Sequence, residues 1–269
     1  MTLAPPALPG LVASEMHTGG RRLPDRNGFA TALAVRALRH RGHAVPPAML
    51  AVLERCRSVH GGFGFWPQGL RPHWAPALPD DADDTAIMAL ELYLAGRLTR
   101  DEVRRTACQR IGTRRIGRLP ALRPPWLRTG VFATWSRLAG GQDMVDCTVI
   151  TNVLALLTVA GLEGIPGADT SMALLECALD WAGDDDARAS SLSPFYPDAA
   201  EWLLALDHAA AIGAKGMPAL LRRALCTRWG QAAAQRRHAP DHAICSSPYG
   251  LAVWRSPALC AVRCSAEGT

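Results

Sequence analysis

Residues 81–96 read DADDTAIMALELYLAG. The stretch opens on Asp81, whose side-chain oxygen can accept an orphan backbone N–H at a helix start. It closes 15 residues later on Gly96, suited to the left-handed residue that ends a helix. Across residues 86–94 only Glu91 is charged, and a helix apolar on every face is a buried helix. The same design recurs at residues 27–42, 146–161 and 198–213, which open on Asn27, Asp146 and Asp198 and close on Gly42, Gly161 and Gly213. Each predicts a helix of about 14 residues, roughly 21 Å long.

The segments that follow have another character. Residues 99–111 carry Arg100, Asp101, Glu102, Arg104, Arg105 and Arg110 around a stripe of Val103, Ala107 and Ile111, the pattern of an amphipathic, solvent-facing helix. Residues 46–57 and 217–229 fit the same role. Buried and exposed helices thus alternate, with buried starts 54, 65 and 52 residues apart, and two helices per period near 50 indicate a helical repeat. The expected fold is all-α: an α/α toroid of inner helices ringed by outer ones. A fifth buried segment is expected near Ser247, with Pro248 in its first turn. The count is five hairpins at most, against the six common in closed rings, which leaves both a closed and an incomplete or open ring as readings. No linker divides the chain, which reads as a single domain over 1–269 with residues 1–24 as an extended N-terminal arm.

Composition narrows the classes. The chain has 269 residues, 49% of them hydrophobic, too apolar for a disordered chain. No apolar run approaches the ~20 residues of a membrane span. The net charge of +5 comes almost wholly from arginine, Lys215 being the single lysine. Without zinc-finger spacing or a basic face interleaved with aromatics, it does not point to nucleic acid. The eight cysteines form no CxxC pair, and residues 1–10 lack the basic start and apolar run of a signal peptide. Reduced thiols and a cytosolic location are the expectation.

Aromatic residues concentrate in the loops before the buried helices. Residues 61–67 read GGFGFWP, with Phe65 and Trp66; Trp74, Phe132, Trp135, Phe195 and Tyr196 follow. If the buried helices are parallel, these loops gather at one end, either plugging it as core or lining an apolar pocket mouth. Into that end projects the acidic run Asp80, Asp81, Asp83 and Asp84. Capping accounts for Asp81, which matches Asn27, Asp146 and Asp198 in the repeat. The positions equivalent to Asp83 are Phe29, Thr148 and Ala200, so Asp83 is an addition to the scaffold. Those equivalent to Asp84 are Ala30, Val149 and Glu201. A helix N-terminus favours the charged acid by only about 0.3–1 kcal/mol, whereas burial and neighbouring carboxylates raise a carboxyl pKa by several units. A carboxyl kept protonated in a dry aromatic cavity can deliver its proton to an alkene or epoxide, and π faces then stabilise the carbocation.

Residues 81–86, DADDTA, resemble the DxDDTA motif of class II terpene cyclases, the squalene–hopene cyclase type. The GGFGFWP stretch is similar to the glycine-and-aromatic repeats of that superfamily, although no full QxxxGxW motif occurs, and the segment from Asp146 onward resembles its repeat group. The resemblance implies an α/α barrel in which Asp83 is the proton donor, Asp81 and Asp84 hold and polarise it, and no cofactor is required. The substrate it implies is a small apolar isoprenoid, bound by Phe65, Trp66, Trp74, Phe132, Trp135, Tyr196, Asn152 and His208. Known members carry two helical domains, whereas this length supplies one, and 6% aromatic content favours a small substrate. A histidine bonds the acid in some relatives; His73, His208 and His242 are the candidates, with His208 favoured. Two other readings stand beside this one. Asp80, Asp81 and Asp84 also satisfy DDxxD, an oxygen-rich set suited to Mg²⁺ and a diphosphate substrate. Alternatively, a helical toroid binds isoprenoids or partner proteins without chemistry. Apolar surface at the ring mouth would allow peripheral membrane contact.

Overall fold

The computed structural model describes residues 8–135, 144–236, 239 and 241–265, apart from the side chain of Tyr249. The four capped, apolar segments are helices: α1 (Gly28–His40), α3 (Ala82–Leu94), α5 (Cys147–Ala160) and α8 (Ala199–Ala211). Each has the expected side chain at its N-cap. Asn27 accepts from the Ala30 amide at 2.7 Å, Asp81 from Asp84 at 2.7 Å, Asp146 from Thr148 and Val149 at 2.9 and 3.0 Å, and Asp198 from Ala200 at 3.0 Å. Residues 82–92 of α3 are all buried, including Glu91.

The remaining helices lie outside these four. They are α2 (Pro47–Arg55), α4 (Arg100–Thr106), α6 (Ala168–Ala182), α7 (Asp186–Ser191), α9 (Met217–Leu225), α10 (Arg228–Arg236) and α11 (Pro257–Ser265). The α4 segment starts with a full capping box between Thr99 and Glu102 and runs on into a π-helical turn, Ala107–Ile111. Among the buried helices α1 packs on α3, α3 on α5 and α5 on α8, while α2, α4, α6, α9 and α10 cover them from outside. The terminal helix α11 packs on α1, and its Arg263 reaches Glu201 on α8 at 2.7 Å.

Three expectations are overturned. The protein is mainly helical but not all-α, because it contains a four-stranded antiparallel sheet of order β2-β1-β4-β3. Strands β1 (Ser14–Thr18) and β2 (Arg21–Asp25) form a hairpin where an N-terminal arm was expected. Its turn, Gly19-Gly20, has positive φ at both residues, the two-residue turn whose twist matches paired strands. Strands β3 (Ala243–Ser246) and β4 (Val253–Arg255) occupy the place of the expected fifth buried helix, and Pro248–Gly250 is only a single 3₁₀ turn between them. The sheet joins the two ends of the chain, with Met16 opposite both Leu23 and Trp254. None of the eight cysteines is in a disulfide. Among the described residues no helix is long and apolar enough to cross a membrane.

Candidate functional site

The N-terminal ends of α1, α3 and α5 meet the loop before α8 and the edge of the sheet around a cavity of about 130 Å³. Its wall is largely aromatic: Phe29, Phe65, Trp66, Trp135, Phe195, Tyr196 and Trp254. The rings contact one another. Phe65 stacks on Phe29 with centroids 5.7 Å apart and meets Trp66 and Trp254 edge-on at 4.7 and 5.3 Å; Trp135 meets Phe195 at 6.1 Å. Pro76, Leu78, Val149 and Pro248 add apolar wall, and Asp81, Asp83 and Asp84 supply its acids.

Local sequence explains this placement. Gly28 lets the aromatic loop lie on α1: a Cβ there would stand 2.1 Å from the Cys56 sulfur, and its N–H donates to Phe65 O at 2.8 Å. Thr85, in the first turn of α3, accepts from the Phe63 amide at 3.1 Å. Asp146 caps α5 with one oxygen and accepts from the Phe195 amide with the other at 2.9 Å, which sets Tyr196 beside α3. The Asp25 carboxylate accepts two of the wall's three indole N–H groups, Trp66 at 3.0 Å and Trp254 at 2.8 Å.

Asp83 is 7% exposed, and both of its oxygens are engaged. Asn152 Nδ2 donates to Oδ1 at 2.8 Å, and the Tyr196 hydroxyl bonds Oδ2. Behind Asn152 runs a buried polar chain. Arg36 Nη1 donates to Asn152 Oδ1 at 2.9 Å, Arg36 Nε to Glu91 Oε1 at 3.2 Å, and Arg39 Nε to Glu91 Oε2 at 2.8 Å. Burial raises the Asp83 carboxyl above the ordinary range, against the Tyr196 and Asn152 hydrogen bonds and the Arg36 charge. Asp81 and Asp84 are raised too, by burial first and then by neighbouring carboxylates. Asp84 Oδ2 is buried with no hydrogen-bond partner. Asp146, behind them, is pushed up to about 7 by burial. The cluster therefore holds protons that isolated carboxyls would have released.

The predicted residues divide between this cavity and elsewhere. Asp81, Asp83, Asp84, Phe65, Trp66, Trp135 and Tyr196 line the cavity, and Asn152 touches it through Asp83. Trp74 and Phe132 are not in the wall. Trp74 is partly buried against the core, and Phe132 bridges to Arg115 and donates its amide to Ser171. His208 is buried 3.3 Å from Glu91, toward the C-terminal halves of the helices, where burial and then the Arg36 charge lower it to about 4. It does not bond Asp83. His73 is exposed, and His242 lies between Asp198 and Glu201. Asp80 is absent from the wall: its carboxylate bonds Ser58 and packs against Gly62. Among the described residues no group of three or more His, Cys, Asp or Glu, the alternative Asp80–Asp81–Asp84 set included, is disposed to hold a metal ion.

Sequence reasoning missed Asp25, Arg36, Cys245 and Trp254. Of these, Arg36 carried a signal: it is a charge inside the apolar stretch of α1, as Glu91 is in α3, and such charges pair when buried. No protein-family model, curated protein or solved structure matches this chain. The functional reading accordingly rests on the site itself.

Proposed function

We propose that the protein is an acid-initiated isoprenoid cyclase or isomerase of the class II terpene cyclase type, built on an α/α toroid in which α11 takes the place of a further hairpin. The observation that carries this reading is a buried carboxyl of raised pKa, Asp83, in the wall of an aromatic cavity. In the proposed reaction the Asp83 O–H adds its proton to the less substituted carbon of a terminal C=C bond. The carbocation left on the other carbon is attacked by the π electrons of a second double bond, which closes a ring. Loss of a proton from the cyclic cation to the Asp83 carboxylate gives a neutral product isomeric with the substrate. Seven aromatic rings face the cation, and cation–π contact in a desolvated site is worth about 2 kcal/mol or more. Burial keeps the acid neutral until it reacts.

Size and charge support a short, uncharged substrate. An apolar cavity of about 150 Å³ holds benzene, so a chamber of about 130 Å³ suits one prenyl group at its base. Its described wall carries three carboxyls and no basic side chain, which disfavours a diphosphate inside it.

The test is incubation with linear ten-carbon prenyl hydrocarbons, alcohols, epoxides and diphosphates, with and without EDTA, followed by product analysis. Expected are cyclic isomers of the uncharged substrates, insensitive to EDTA and reduced at least ~10²-fold in Asp83→Asn. Undiminished product from folded Asp83→Asn, or EDTA-sensitive product from uncharged substrates, would overturn the reading. Binding without turnover would make the protein a carrier.

A further inference from the structure

We propose that Arg36 is a positioning residue for Asp83, acting through Asn152 to fix which carboxyl oxygen carries the acid's proton. The geometry is a three-member chain. Arg36, on α1 and 7% exposed, donates from Nη1 to Asn152 Oδ1 at 2.9 Å, and Asn152 Nδ2 donates to Asp83 Oδ1 at 2.8 Å. A guanidinium can only donate, so the Asn152 carbonyl oxygen must face it and the amide NH₂ must face Asp83. An NH₂ donor at Oδ1 disfavours a proton on that oxygen. The neutral acid then holds its proton on Oδ2, beside the Tyr196 hydroxyl in the cavity wall. Without Arg36 the Asn152 amide is free to rotate by half a turn. Its oxygen would then accept a hydrogen bond from a protonated Oδ1, and the acid would point into the protein instead of at the substrate.

Arg36 also balances the charge around Asp83. The groups that face the acid are Asp81 and Asp84 on α3, Asp146 at the start of α5, Tyr196 and Glu201 from α8 and its approach, and Cys245 on β3. Each of these is neutral or negative, and Arg36 supplies the positive charge among them. Its own partner Glu91 is shared with the half-buried Arg39, so the group of two arginines and one glutamate keeps a net positive charge behind Asn152.

This inference rests on Asp83 as the acid of the proposed reaction, but its test needs no substrate. The protein is labelled with ¹³C at the aspartate carboxyl carbons, and the Asp83 resonance is assigned by its loss in Asp83→Asn. Its titration midpoint is then compared in wild type, Arg36→Met and Arg36→Lys. Arg36→Met is expected to raise the midpoint by about one pH unit or more, and Arg36→Lys, which keeps the charge, by less than half as much. An unchanged midpoint in Arg36→Met with native near-UV circular dichroism overturns the proposal. Should Arg36→Met not fold, Asn152→Leu removes the same donor: an elevated midpoint supports the proposal and an unchanged one refutes it. In the product assay the protonated acid is the active form, so activity falls as pH rises through the Asp83 midpoint. That falling limb should move to higher pH in Arg36→Met. Absence of product from wild type would defeat the cyclisation reading alone, leaving the carboxyl titration to decide the role of Arg36.

Discussion

Truncating Asp25 tests whether the aromatic wall is held from behind. The residue is 3% exposed, and its carboxylate accepts four hydrogen bonds: from the Arg26 amide at 2.8 Å, Asn27 Nδ2 at 2.9 Å, Trp66 Nε1 at 3.0 Å and Trp254 Nε1 at 2.8 Å. In Asp25→Ala the Arg26 amide lies next to an exposed side chain and regains water, but the two indoles and the Asn27 amide are left inside. Each unsatisfied buried donor costs about 1–3 kcal/mol. Relief from burying the carboxylate offsets part of this, so about 3 kcal/mol of lost stability is expected. For a chain of this size that is roughly 6–12 °C in Tm, read by circular dichroism at pH 7. Because the loss comes from orphaned indoles, Trp66→Phe should cost less in the Asp25→Ala background than in wild type, with a coupling of about 1–2 kcal/mol. Freed indoles should also make tryptophan fluorescence easier to quench with acrylamide. A Tm drop below 2 °C, or additive Trp66 and Asp25 substitutions, would refute the anchoring role.

The remaining expectations follow from the buried charges. Asp84→Asn should raise Tm by a few degrees at pH 8, because it removes a like charge beside Asp81 and Asp83 and an acid whose Oδ2 has no partner; a lower Tm at that pH would count against the crowded-acid picture. Burial lowers the His242 pKa, but Asp198 and Glu201 outweigh it and raise the imidazole from 6.5 to about 9. A folded-state pKa above the unfolded one stabilises below the lower value and is lost as pH rises through the higher. His242→Gln should therefore be destabilising by about 3 kcal/mol near pH 6, with the difference from wild type vanishing toward pH 10. A difference constant with pH would show that packing, not charge, is responsible. Burial raises Glu201, yet Arg263 and His242 hold it down at about 2. Its contribution is present above 4.5 and disappears as pH falls toward 2, so Glu201→Gln should narrow its stability gap from wild type in acid, and a gap that persists at pH 2 would contradict the pairing.

The sequence was readable where structure is local. Four buried helices announce themselves because cap, apolar interior and closing glycine all lie within 16 residues, and Gly42, Gly96, Gly161 and Gly213 all take positive φ. The acid stands out for the same reason: comparing equivalent positions needs no knowledge of distant contacts. The sheet was harder. Residues 14–25 read SEMHTGGRRLPD, a polar run whose only hairpin signal is the Gly-Gly turn, and its other partner, β4, begins at Val253. Trp74 and Phe132 resemble their neighbours in sequence, but aromatic character does not say which side of a loop a ring takes. Phe132 packs under α6, where a Cβ on Gly167 would come within 3.4 Å of its ring.

The same helical frame gives acids of opposite behaviour, and the difference lies in what faces them. Asp84 and Glu201 occupy equivalent positions in their helices. Glu201 meets a guanidinium and an imidazole directly, with Arg263 at 2.7 and 3.0 Å and His242 at 2.6 Å, and stays charged in all but strong acid. Among the described residues no cation contacts Asp83 or Asp84. The charge that reaches Asp83 comes from Arg36 through one intervening amide. Direct contact with Arg36 would hold Asp83 ionised, as Arg263 holds Glu201, and an ionised carboxylate has no proton to give. Without any cation the crowded acids would bind their protons more tightly still, which would weaken the acid of the proposed reaction. Asn152 sets an intermediate condition: it transmits orientation and part of the charge while keeping the guanidinium one residue away. The charge that tunes the Asp83 carboxyl thus comes from the side of α3 away from the cavity, and the cavity wall carries no basic side chain among the described residues.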